Sequence, residues 1–104
     1  MKSIINGKTF DTETAQEICD IPCQYDSGNF RHHSTTLYLT SKGALFLSGR
    51  GGPLSMWRQA EGNNGWRNGS GIKVLTNEEA RNHMESAGCT AEDFELCGLS
   101  VEEG

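Results

Sequence analysis

The sequence lacks the segments that mark secreted and membrane proteins. No apolar run approaches the ~20 residues that a membrane-spanning helix needs. The opening stretch, MKSIING, lacks the apolar core of a secretory signal. We therefore expect a cytosolic protein with no membrane partner. In the reducing cytosol its four cysteines are not expected to form disulfides.

The familiar catalytic motifs are also missing. The sequence has no nucleophile elbow and no metalloprotease helix, and the GRGG fragment at 49–52 lacks the Lys-Ser/Thr that ends a phosphate-binding loop. His32, His33 and His83 are candidate bases, but no acid, base and nucleophile can be nominated together. We predict a non-enzymatic protein without a cofactor.

The 104 residues match the size of one domain, 1–104. The net charge of −5 is unevenly distributed. Residues 27–75 carry six Lys or Arg against one Glu, whereas residues 76–104 carry eight carboxylates against one Arg. This asymmetry favours attraction to charged partners, or attraction between the two halves of the chain. Both interpretations stay open.

The strongest structural signal is a hairpin within residues 35–57. Gly43 suits a three-residue turn at 41–43, because glycine adopts positive φ without steric cost. This turn sorts the flanking side chains onto common faces, as a hairpin requires. The predicted cross-strand pairs are Leu39 with Leu45, Tyr38 with Phe46, and Leu37 with Leu47.

The remaining elements are shorter. Asn6-Gly7 predicts a hairpin over 2–11, followed by a helix over 12–19 with Cys19 on its apolar face. Residues 20–34 are predicted to be irregular, and residues 54–59 are predicted to form a third strand or a helical turn. An exposed loop is predicted over 61–71, followed by a short strand over 72–75.

Two helices are predicted at the end of the chain. Thr76 opens the first with Glu79 at capping-box spacing, and Thr90 opens the second; an acidic tail follows at 101–104. The elements together predict an α+β fold. It has a small antiparallel sheet of four to six short strands with two hairpins, a short helix after the first hairpin, and two short C-terminal helices. An exposed edge strand leaves monomer and homodimer both open.

The stretch 50–67 is basic, aromatic and rich in glycine. It repeats a Trp-Arg dipeptide, at Trp57 and again at Trp66, nine residues apart. Trp and Arg are favoured in binding hot spots, and they also stack on unpaired bases. We expect Trp57 in the core, while Trp66 either pins its own loop or faces a partner. The predicted partner-binding residues here are Arg50, Arg58, Trp66 and Arg67.

The acidic helices offer a different surface. A row of carboxylates at Glu92, Asp93 and Glu95 would imitate the phosphates of nucleic acid toward a basic protein, or would simply be a solvated face. Cys19-x3-Cys23 with His32 and His33 suggests a zinc module or small enzyme as a further alternative. Cys89 and Cys97 do not complete that pattern, so no metal ligands are assigned.

Three stretches carry a family resemblance: IINGKTFDTETA, LYLTSKGALFLSGRGGPLSMW and LTNEEAR. They resemble a family of short proteins carried by bacteriophages, mobile elements and their hosts. Proteins in that setting often inhibit host defence, so the resemblance implies an anti-CRISPR-like inhibitor that occludes a host protein or nucleoprotein complex. The alternative function is a small nucleic-acid-binding module using 50–67. The resemblance assigns no catalytic residue.

Overall fold

The computed structural model of the protein describes residues 2–26, 28–62 and 65–99. Within these residues the chain forms eight strands and two helices. Their bounds are β1 Lys2–Ile5, β2 Lys8–Asp11, β3 Gln16–Asp20, β4 His33–Leu39, β5 Leu45–Gly51, β6 Gln59–Glu61, β7 Gly65–Arg67, β8 Gly69–Leu75, α1 Asn77–Ala87 and α2 Ala91–Leu96. Neither helix is long and apolar enough to cross a membrane. The predicted tail at 101–104 lies outside the described residues.

The central hairpin is confirmed. Strands β4 and β5 pair antiparallel with the predicted register, which places Leu37 opposite Leu47. Gly43 takes φ 88°, the left-handed conformation that the turn requires. Strands β3 and β8 flank this pair to give one antiparallel sheet in the order β3-β4-β5-β8.

One face of this sheet carries the core. Leu37 and Leu47 are fully buried there, and α1 covers them with Ala80 and Met84. Helix α2 adds Phe94 to the same cluster. Burial of these apolar side chains is the main stabilisation that holds both helices on the sheet, since helices this short are marginal alone.

Both helix starts are fixed by capping boxes. The predicted pair Thr76 and Glu79 is confirmed, with each side chain accepting from the other's backbone N–H. Thr90 and Asp93 form a second box that the sequence analysis did not assign. Such caps satisfy backbone donors that a helix cannot satisfy internally.

The opposite face of the sheet is covered at one end only. The β1–β2 ribbon, with Asn6 and Gly7 at φ 52° and 77°, confirms the first predicted hairpin. Its Phe10 packs edge-on against Phe46 at 5.6 Å, and Tyr38 stacks on the same ring at 5.3 Å. At its other end, among the residues that the structure describes, Ser34, Arg50 and Ser70 are exposed.

The helix predicted over 12–19 is wrong. Asp11 holds a single turn by accepting from the backbone of Glu13 and Ala15, after which Gln16–Asp20 forms strand β3. A register shift between Glu17 and Cys19 interrupts the strand's alternation. Ile18 and Cys19 are consequently both half-buried although they are consecutive in the strand. In the sequence, two adjacent inward-facing residues resemble the apolar face of a helix more than the alternation of a strand. Pairing with β4 outweighs the local helical pattern.

Two further predictions need correction. The described residues hold eight strands instead of four to six, because 61–71 is not a plain loop: it contains part of the β6–β7 ribbon and the start of β8. Every residue of β6 and β7 is exposed, so neither strand carries an apolar alternation. Residues 54–57 form turns and Gln59 begins β6, so the segment 54–59 as a whole is neither a third strand nor a helical turn.

Candidate docking surface

Trp57 anchors the glycine-rich end of the sheet. Its indole lies over Gly49 and Gly71, neighbours on β5 and β8, and a Cβ at Gly49 would stand 2.5 Å from Nε1. The indole Nε1–H donates to the Thr35 hydroxyl at 2.7 Å. Trp57 is buried, which confirms its predicted place in the core. Glycine at these positions thus creates the slot that the ring fills.

The hydroxyl of Thr35 connects Trp57 to a histidine. Thr35 Oγ1 accepts from the indole and also lies 2.9 Å from Nδ1 of His33, within hydrogen-bond distance of the imidazole in its neutral form. Burial, with a smaller contribution from His32, lowers the pKa of His33 and favours this neutral form. His33 therefore has a structural partner in the chain of bonds that fixes Trp57.

The turn that carries Trp57 also places Arg58. The buried Ser55 hydroxyl donates to the Gly52 carbonyl and accepts from the Trp57 N–H. The Arg58 N–H donates to the Ser55 carbonyl at 3.2 Å. Arg58 thus leaves a fixed turn at the point where the β6–β7 ribbon starts, and its side chain is exposed.

Arg58 stacks on the second tryptophan. Its guanidinium carbon lies 4.2 Å from the centroid of the Trp66 ring, which is 48% exposed. Such a cation–π contact is worth about 0.5–1 kcal/mol at an exposed site. It leaves much of the indole accessible while fixing the side chain of Arg58. Trp66 therefore is not a core residue: it lies on its own ribbon and is half-exposed, and its contact with a partner stays a prediction.

We define the basic–aromatic surface as Arg50, Arg58, Trp66 and Arg67. All three arginines are exposed, as predicted. Gln59 links them, because it pairs with Arg67 across the ribbon and lines one groove with Arg50. The structure thus places all four predicted residues near one end of the sheet, but Trp66 and Arg67 follow each other in β7 and project from opposite faces of the ribbon, with Arg67 on the face of Gln59.

The acidic residues lie elsewhere. Helix α2 packs on the core face through Phe94, whereas Arg50 projects from the opposite face. Glu92 and Glu95 are exposed, but Asp93 is half-buried and its carboxylate caps the helix. Asp93 therefore has a structural role whether or not a partner binds there.

The thiols and histidines do not gather as the zinc alternative requires. Cys23 Sγ accepts from the backbone N–H of His33, while Cys19 Sγ lies 3.3 Å from Cys89 Sγ. Among the described residues, no group of three or more His, Cys, Asp or Glu is arranged to hold a metal ion. Burial and the neighbouring thiol raise the pKa of Cys19 to about 12, which keeps it protonated. Sequence reasoning missed this pair because its members lie on separate elements 70 residues apart.

Comparison of the chain with protein-family models, curated proteins and solved structures gives no match. The interpretation of the surface therefore depends on its own chemistry.

Proposed function

We propose that this is a non-enzymatic binding protein that docks its basic–aromatic surface on an acidic patch of a host nucleoprotein complex. The stack of Arg58 on the half-exposed Trp66 carries the proposal. A fixed guanidinium with an accessible indole resembles the hot spots of protein interfaces, because little side-chain entropy is lost on binding.

The proposed mechanism is steric occlusion. A standard interface buries roughly 800 Å² per partner. The protein exposes 7050 Å², so such an interface would take about a tenth of its surface. The β6–β7 ribbon and the adjoining groove offer a continuous area for this contact. No bond is made or broken in the partner.

The partner class follows from charge and from the family resemblance. Three exposed arginines favour an acidic surface, and electrostatic attraction would accelerate the encounter. The resemblance to short phage and mobile-element proteins makes a defence complex, such as a CRISPR effector, the partner we propose. The inhibitor would act in the cytosol as a monomer or homodimer.

The test is capture of a CRISPR effector from a bacterial lysate that expresses one, with identification by mass spectrometry. We expect wild-type protein to retain the effector and the double variant Arg58→Glu, Arg67→Glu to lose it. Lys42→Glu is the matched control, because Lys42 is exposed in the β4–β5 turn at the other end of the sheet. Equal retention by all three proteins, or by none, would contradict the proposal.

A nucleic-acid-binding module is the second candidate. The accessible Trp66 ring favours it, since base stacking on an aromatic ring is worth about 1–3 kcal/mol. Gel-shift titrations with single- and double-stranded DNA and RNA distinguish the two candidates. Tight, salt-sensitive binding that Trp66→Ala abolishes would favour the nucleic-acid module.

Acidic mimicry by α2 is tested with Glu92→Lys and Glu95→Lys. Asp93 is left intact, because replacing it would remove the helix cap. Loss of effector capture in this variant, with capture kept in the Arg58→Glu, Arg67→Glu variant, would move the interface to the acidic helix.

A further inference from the structure

A row of polar side chains crosses the uncovered end of the sheet. Arg50 on β5 pairs with Ser34 on β4 and with Ser70 on β8. Direct cross-strand neighbours point to the same face with Cβ atoms roughly 4.5–5.5 Å apart. The guanidinium therefore rises between two hydroxyl groups, on the face opposite Trp57.

This row forms the floor of a groove. A cavity of about 780 Å³ and a second of about 380 Å³ share Ser34, Arg50 and Ser70, so the two are continuous. Thr36 and Ser48 extend the polar floor toward the centre of the sheet. Each of the two cavity volumes falls within the roughly 300–1,000 Å³ of small-molecule sites.

The groove has an uncompensated positive charge. Neither cavity is lined by a described carboxylate, and the side chain of Arg50 forms no hydrogen bond or ion pair with any residue in the described ranges. Next to the groove, the Asp20 carboxylate accepts from the hydroxyl of Thr36, a residue of the groove floor, at 2.9 Å. The donors of Arg50 are thus available to an anion. A planar guanidinium binds phosphate oxygens two at a time, and neighbouring hydroxyls supply further donors.

An exposed aromatic residue, Phe30, is among those that line the same groove. Phe30 is 67% exposed, yet its backbone is held in place: its carbonyl accepts from the Leu54 N–H at 2.9 Å. The Gly52 N–H donates to the neighbouring His32 carbonyl at the same distance. A Cβ on Gly52 would collide with the Phe30 carbonyl, so glycine permits this close approach. The exposed ring is therefore presented by a fixed segment.

We propose that this groove binds a nucleoside monophosphate. The phosphate lies on Arg50 between the hydroxyls of Ser34 and Ser70, and the base contacts the ring of Phe30. The inference goes beyond the proposed function: it shares Arg50 and the groove with the basic–aromatic surface, but it concerns a small ligand on the sheet face and does not need the Arg58–Trp66 contact.

The test is an NMR titration of the full chain with AMP, with CMP and with inorganic phosphate. We expect both nucleotides to shift the amides of Ser34, Arg50 and Ser70, and phosphate to shift the same amides at higher concentration. Arg50→Gln should weaken nucleotide binding about 10-fold or more, as expected for loss of a charged hydrogen-bond donor. Arg50→Lys should recover part of the affinity, since the charge returns without the bidentate geometry.

Phe30→Ala separates the two parts of the site. This variant should weaken AMP binding and leave inorganic phosphate unaffected, whereas Lys42→Gln should change neither. Absence of amide shifts at millimolar nucleotide, or an unchanged nucleotide affinity in Arg50→Gln, would overturn the assignment. Equal affinity for phosphate and AMP in the wild type would refute the role of Phe30 and reduce the site to a simple anion site. Effector capture by the Arg58→Glu, Arg67→Glu variant is measured in a separate experiment. The docking proposal and the nucleotide proposal can therefore fail independently of each other.

Discussion

The slot for Trp57 leads to a prediction with an internal control. Gly49 and Gly71 are cross-strand partners beneath the same indole. A Cβ at Gly49 would lie 2.5 Å from both Trp57 Nε1 and the Ser34 carbonyl oxygen, so the ring or the strand must move. A Cβ at Gly71 would lie 3.7 Å from the ring, an ordinary contact. The same added methyl group should therefore have different effects at the two sites.

The magnitudes follow from these distances. Overpacking at Gly49 should lower the free energy of unfolding by about 1–3 kcal/mol. In contrast, Gly71→Ala should leave it unchanged or raise it by about 0.4–1 kcal/mol, because alanine restricts the unfolded chain. For a domain of this size, each kcal/mol shifts the melting temperature by about 4–8 °C.

Thermal and urea unfolding of the two variants and the wild type measure the difference. The reasoning predicts that Gly49→Ala melts well below Gly71→Ala, with unchanged m-values. Equal stability of the two variants, or a less stable Gly71→Ala, would refute the position assigned to the indole.

Three further predictions concern buried polar groups and thiols. Thr35→Val should cost about 1–3 kcal/mol in urea unfolding, because it leaves the buried Trp57 N–H without its acceptor; Thr35→Ser should retain most of the stability. Folding lowers the pKa of His33 below its ordinary 6.5, so the stability that His33 contributes is present above that pH and is lost as the pH falls below it. His33→Gln should therefore flatten the dependence of the urea midpoint on pH between about 7.5 and 5. A thiol oxidant should link Cys19 to Cys89 before any other pair, because their sulfurs lie 3.3 Å apart; since the pKa of Cys19 is raised, this linkage should be slow near neutral pH and faster as the pH rises, and peptide mass mapping that finds another pairing first would contradict the geometry.

The parts of the fold that could be predicted are those encoded locally. The register of β4 and β5 follows from strict alternation and from one glycine at the turn, and it is confirmed at every predicted pair. The start of α1 is set by Thr76 and Glu79, three residues apart. In both cases the residues that decide the structure are close in sequence.

The parts that could not be predicted depend on distant partners. Strand β3 exists because β4 pairs with it, and the irregular register between Glu17 and Cys19 conceals its alternation. Strands β6 and β7 have no buried side, so they carry no apolar pattern. The Thr35–Trp57 hydrogen bond joins residues 22 apart, which no local motif indicates.

The candidate surface was predictable in composition but not in geometry. Exposure of Arg50, Arg58 and Arg67 follows from the polar, glycine-rich sequence around them. The stack of Arg58 on Trp66 requires the β6–β7 ribbon, which the turn-forming residues of this stretch conceal. Likewise, the groove at Arg50 arises only when three strands align Ser34 and Ser70 beside it.

The docking proposal is tested most directly by amide hydrogen exchange on the protein mixed with a CRISPR effector, the proposed partner. The account predicts slowed exchange in the β6–β7 ribbon, Gln59–Glu61 and Gly65–Arg67, relative to the free protein. Protection confined to α2, Ala91–Leu96, with the ribbon exchanging as fast as in the free protein, would contradict it.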